Sequence, residues 1–85
     1  MNRVNYFARN LKSLREYFRL TQRDIAEAGD VTQAAANKIE NARIIPSIET
    51  AAGIAELFGV TIDEMIHTPP DDLLAERLKK KGTTE

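Results

Sequence analysis

Four hydroxyl side chains punctuate the chain: Thr21, Thr32, Ser47 and Thr61. Each stands just ahead of a segment whose apolar residues recur every three or four positions. A hydroxyl in that place accepts a hydrogen bond from an amide the first helical turn leaves unpaired, so the pattern specifies short helices and no strands. Thr61 with Glu64 reads as a full capping box, and Thr21 with Asp24 as the same device with Asp for the usual Glu. Ahead of them Phe7, Leu11, Leu14 and Phe18 form one apolar stripe of a first helix. Leu20 belongs to the link. A second helix from about Gln22 to Ala28 buries Ile25 and Ala26 and ends at Gly29-Asp30. Val31 plugs the corner before a third helix, Gln33 to Asn41, whose inner face is Ala36 and Ile39. Pro46-Ser47 opens a fourth, which buries Ile48, Ala51, Ile54, Ala55 and Phe58 and stops at Gly59. A short fifth carries Ile62, Met65 and Ile66.

Pro69-Pro70 interrupts the pattern, because proline restricts the residue before it and lacks a donor. Asp71-Asp72 then cap a candidate last helix, Leu73 to Lys81, with Leu74 and Leu78 one turn apart. Lys79, Lys80 and Lys81 suit its C-terminal dipole, and Gly82 to Glu85 are expected to fray. The domain reading is therefore 1–68 as the folded unit and 69–85 as an extension.

At 85 residues the chain is expected to hold one domain with a small core. It has no Cys, so neither a disulfide framework nor a thiolate metal site is available. No apolar run approaches the ~18 residues a membrane span needs, and the opening MNRVNYFARN lacks a signal-peptide core. A large enzyme cleft, a secreted mini-scaffold and a membrane anchor are poor readings; a soluble cytoplasmic domain is the expectation. The net charge of −1 hides an asymmetry. Residues 1–45 carry eight basic and five acidic side chains, and residues 46–85 four and eight. A basic face matters more to a polyanion than the total does. No spacing fits general acid-base or nucleophilic catalysis, no cofactor is called for, and His67, the one His, reads as exposed linker. His67 with Asp63, Asp71 or Asp72 matches no metal-ligand spacing.

The stretch from Thr21 to Asn41 resembles the helix-turn-helix of the phage repressor/Cro family, also called the XRE family of bacterial and phage regulators. The resemblance is carried jointly by Gln22, Ala26, Val31, Ile39, Glu40, Pro46 and Gly59, and it extends over roughly residues 7–66. It implies an all-α, five-helix lambda-repressor-like DNA-binding domain, with the short C-terminal helix as an addition. Small Ala26 lets the two helices of the motif approach, and the geometry projects the third helix toward a major groove. Two positions depart from the family: Asp30 stands where its turn glycine usually sits, and Ala42 replaces the glycine usual after Glu40-Asn41. Because Ala disfavours the left-handed region, Asn41 is expected to adopt it instead.

The resemblance implies a sequence-specific regulator, a repressor on a palindromic operator, bound to double-stranded DNA as a homodimer. Gln33 is the base reader, since its amide can bond N6 and N7 of adenine. Lys38 reaches a phosphate or guanine, Ala34 a thymine methyl, and Asn37 contributes alongside. Gln22 binds phosphate and braces Gln33, as its family counterpart does. Thr32, Asn41 and Arg43 are further phosphate candidates, while Arg19 and Arg23 add long-range attraction. With Ala34, Ala35 and Ala36 in the reading helix, few direct base contacts are expected, leaving much of the specificity to DNA shape and phosphate geometry. Arg15 and Glu40 are expected to pair and hold the third helix to the first. Candidate dimer surfaces are Leu57 with Val60, and the tail with Leu73, Leu74 and Leu78. A second reading is a protein-interaction module with a protein partner, such as an antitoxin or a regulator-binding adaptor.

Overall fold

The computed structural model describes residues 5–83. Six helices follow in order: α1 (Phe7–Tyr17), α2 (Gln22–Gly29), α3 (Gln33–Glu40), α4 (Ile48–Phe58), α5 (Ile62–His67) and α6 (Pro70–Thr83), with no strand among the described residues. The all-helical architecture is that of a lambda-repressor-like domain. The helix starts follow from local chemistry. Thr21 Oγ1 accepts from the Asp24 amide at 3.1 Å while Asp24 Oδ2 accepts from the Thr21 amide at 2.8 Å. Thr61 and Glu64 repeat the exchange at 3.0 and 2.9 Å. Thr32 accepts from Ala35 and Ser47 from Thr50, both at 3.1 Å.

The helix ends share a device the sequence shows openly only at Gly59. α1 to α4 are each followed by one left-handed residue: Arg19 (φ 58°), Asp30 (57°), Ala42 (61°) and Gly59 (73°). In each case the next amide returns to the carbonyl five residues back: Leu20 to Arg15, Val31 to Ala26, Arg43 to Lys38 and Val60 to Ala55, at 2.8–3.0 Å. The left-handed residue's own amide reaches the carbonyl three back, at 3.1–3.3 Å. These are four Schellman closures, which satisfy carbonyls a helix end leaves orphaned. At three of the four ends the residue after the left-handed one turns inward, Leu20, Val31 and Val60 packing on the core, whereas Arg43 after Ala42 stays exposed. The expectation for Asn41 is corrected: it stays at φ −92°, and Ala42 takes the strained conformation. The two amides that close α3 come from residues 42 and 43, which puts the left-handed position at 42.

Leu11, Leu14, Ile25, Ile54, Phe58, Met65 and Leu73 form the buried centre. α2 and α4 cross with almost no side chain between them: a Cβ on Gly53 would overlap the Ala28 carbonyl oxygen, and one on Gly29 would press on Thr50 Cγ2. Thr50 Oγ1 donates to the Gly29 carbonyl at the same crossing, at 2.9 Å. The inner face of α4 therefore begins at Thr50, and Ile48, expected inside, is 75% exposed. Buried Asn10 joins α1 to the far end of the chain, its Nδ2 donating to the carbonyls of Met65 and Thr68 at 2.8 Å each.

The tail is structural. α6 starts at Pro70, whose missing amide costs nothing in a first turn, with Asp71 and Asp72 beside it in that turn. It continues through Thr83, past the expected end at Lys81. Leu73 is 1% exposed in the shared core, so its place on a dimer surface is corrected; Leu74 is half-buried against the same core. Arg77 Nε donates to the Phe58 carbonyl at 2.7 Å, and its guanidinium sits 5.7 Å from the centre of the Phe18 ring. The expected fraying of Thr84 and Glu85, the side-chain roles of Lys80 and Lys81, and the charge of Arg3 lie outside the described residues.

Candidate nucleic-acid interface

α2 and α3 are joined by Asp30, Val31 and Thr32, and this short turn decides which way α3 faces. Ala36, Ile39 and Glu40 point inward and are buried. Gln33, Ala34, Asn37 and Lys38 occupy the outer face and are exposed, with Thr32 at one end and Asn41 and Arg43 at the other, also exposed. Gln22, first residue of α2, is half-buried beside them. The fold thus brings Gln33, Ala34, Asn37, Lys38 and Asn41 to one side of α3, with Thr32 at its start and Gln22 alongside, and leaves Arg43 in the loop beyond.

Behind that surface runs a polar chain. Arg15 grips Glu40 with two parallel bonds, Nε to Oε1 at 2.9 Å and Nη2 to Oε2 at 2.8 Å. A third bond, Nη1 to the Leu20 carbonyl at 3.1 Å, ties the guanidinium to the link between α1 and α2. The Arg15 side chain is 19% exposed and that of Glu40 only 5%. The hydrogen bond to Glu40 raises the Arg15 pKa above its ordinary value; burial opposes this, and the charges of Glu40 and Glu16 add to it. Gln22 extends the chain outward with longer bonds, donating to Glu40 Oε1 at 3.5 Å and accepting from Asn37 Nδ2 at 3.4 Å. Asn41 Nδ2 closes it on the Asn37 carbonyl at 3.0 Å. The brace expected between Gln22 and Gln33 runs to Asn37 and Glu40 instead, and Gln33 makes no side-chain hydrogen bond among the described residues.

His67 is half exposed and lies 3.5 Å from Asp63 on its own helix. Among the described residues no group of His, Cys, Asp or Glu is arranged to hold a metal ion, and no helix is long and apolar enough to cross a membrane. Sequence reasoning missed Asn10 and the Gly29–Gly53 crossing, which only long-range packing reveals. It also passed over Ile44-Ile45, two adjacent apolar residues that belong to no helical stripe. That misfit was the available signal.

Two short helices at a tight turn, the second offering a polar outer face, define a helix-turn-helix protein. A family model described as helix-turn-helix (HTH_3) matches residues 11–65, from within α1 to within α5, and the chain belongs to that family. It is a family of DNA-binding regulatory domains rather than of enzymes. A search of the curated proteins found no match, and neither did a search of the solved structures.

Proposed function

We propose that the protein is a sequence-specific transcriptional repressor, working in the cytoplasm, that binds a palindromic operator as a homodimer with α3 in the major groove. The observation that carries this reading is the braced outer face of α3: polar, exposed, and held from behind through Arg15, Glu40, Gln22 and Asn37. A reading helix must present its side chains in fixed register to base edges, and such a brace limits its roll. Gln33, free at the end of α3, reads adenine; Lys38 takes a phosphate or guanine, and Ala34 meets a thymine methyl. The amide end of α2 at Gln22, together with Thr32 and Asn41, engages phosphates, while Arg43 stands beyond α3 in the loop that leads to α4. Asn37 shares with Glu40 the bonding of Gln22 to α3, so its part is to hold the register.

The test is selection of bound duplexes from a random pool at one fixed salt concentration, with Gln33→Ala in parallel, because salt alone moves phosphate-driven affinity by orders of magnitude. The expected result is an inverted repeat with half-sites ~34 Å apart, and loss of about 1–3 kcal/mol of discrimination at one adenine in the variant. Sequence-blind binding that vanishes with modest salt overturns the reading.

A further inference from the structure

We infer that the α3–α4 loop is the surface on which a second copy of this chain docks, Ile45 of each copy entering a groove on the other. The inference rests on the reading of the protein as a DNA-binding dimer and supplies its interface, on a surface other than those the sequence nominated.

Among the described large hydrophobic side chains, Ile45 and Ile48 stand out, 87% and 75% exposed, with Ile44 beside them at 41%. Next to them opens a groove of about 260 Å³ whose lining includes Phe7, Ala8, Ile39 and Ala42 together with Ile44 and Ile45 themselves. Knob and groove thus lie side by side on one apolar patch, of the kind that marks an interaction site. Such a patch is complementary to itself: one two-fold axis lets each copy offer its knob to the other's groove. The flanking charges follow the same symmetry. Arg43 and Glu49 lie three residues either side of Pro46, both exposed, and neither has an ion-pair partner among the described residues. A two-fold axis at Pro46 runs the two segments antiparallel, and each Arg43 then faces Glu49 of the second copy. A foreign partner would need no such palindromic order of charge. The loop leaves the C-terminal end of α3, so docking there keeps Thr32 and Gln33, about 12 Å away along the helix, open for DNA.

The experiment is sedimentation of the full chain from micromolar to millimolar concentration, with Ile45→Glu, R43E, E49R and the double reversal R43E/E49R. The wild type is expected to dimerise. Ile45→Glu should raise the dimer dissociation constant by at least about tenfold, each single reversal by a smaller factor, and the double reversal should return it to near the wild-type value. Melting temperatures should stay within a few degrees of wild type, since these side chains are exposed. A wild type that is monomeric throughout, an Ile45→Glu variant that dimerises as well as the wild type, or a double reversal without recovery overturns the inference. Binding to a duplex carrying a single half-site, measured alongside, separates the two readings. A monomer that binds the half-site sequence-specifically defeats the interface and the dimer but leaves the DNA-reading role of α3 standing; a dimer that ignores DNA sequence defeats the proposed function.

Discussion

Glu40 shows what one residue does here. Its carboxylate is nearly buried and takes bonds from Arg15 and Gln22, so it links α1, α2 and α3 at a single point. Removing one member of a buried pair strands the other's charge. Glu40→Ala should cost about 3 kcal/mol in urea unfolding, at the lower end of the range because Arg15 keeps some water contact. Base preference of the folded fraction should be unchanged. An unaltered midpoint would show that the pair carries no stability. The Arg15 pKa is raised by folding, so its share of stability is present below the unfolded value and disappears only as pH rises through the higher folded value, in strong alkali. No pH dependence near neutrality should come from it. Ala42 illustrates the opposite case, a side chain in a conformation it disfavours. Relief of left-handed strain is worth ~1–2 kcal/mol, and glycine's extra unfolded-state entropy returns ~0.4–1 of that. Ala42→Gly should therefore stabilise by about 0.5–1 kcal/mol in thermal or urea unfolding. Asp30→Gly should gain less, because Asp tolerates this region better.

At the scale of the element, the helices are short and depend on each other. α2 and α3 have eight residues each, below the length at which an isolated helix holds in water. Caps at one end and Schellman closures at the other supply local definition, and the α2–α4 crossing supplies packing. That crossing has no slack at Gly53, where the obstacle is backbone and cannot swing aside. Gly53→Ala should cost at least about 1–3 kcal/mol by forcing α2 and α4 apart, read as a lower urea midpoint. Because α2 carries Gln22, the same displacement should weaken DNA binding in the fraction that remains folded.

The whole molecule is closed by its tail. Leu73 completes the core, Arg77 caps the end of α4, and Asn10 fastens α1 to the turn before α6. Leu73→Ala should destabilise by about 2–5 kcal/mol, and its sedimentation at a temperature where it stays folded should match the wild type. A variant that keeps its stability but changes its state of association would return α6 to the role of dimer contact.

Much of this was legible locally. Every expected side-chain cap at Thr21, Thr32, Ser47 and Thr61 forms, because a cap involves atoms within three residues and needs nothing else. The inner apolar residues of α1, α2 and α3 followed from periodicity for the same reason. The partnership of Arg15 and Glu40 was readable through resemblance, since nothing in the spacing of two residues 25 apart announces a contact. What stayed hidden was whatever depends on the arrival of a distant segment. Ile48 lies outside because Thr50 claims the inner place against Gly29, and Leu73 lies inside because α6 folds back over α1. Ala42 is left-handed because closing α3 requires that turn, whichever side chain sits there. Local hydrogen bonding sets where helices begin, and packing between segments remote in sequence decides which faces are buried and where strain is accepted.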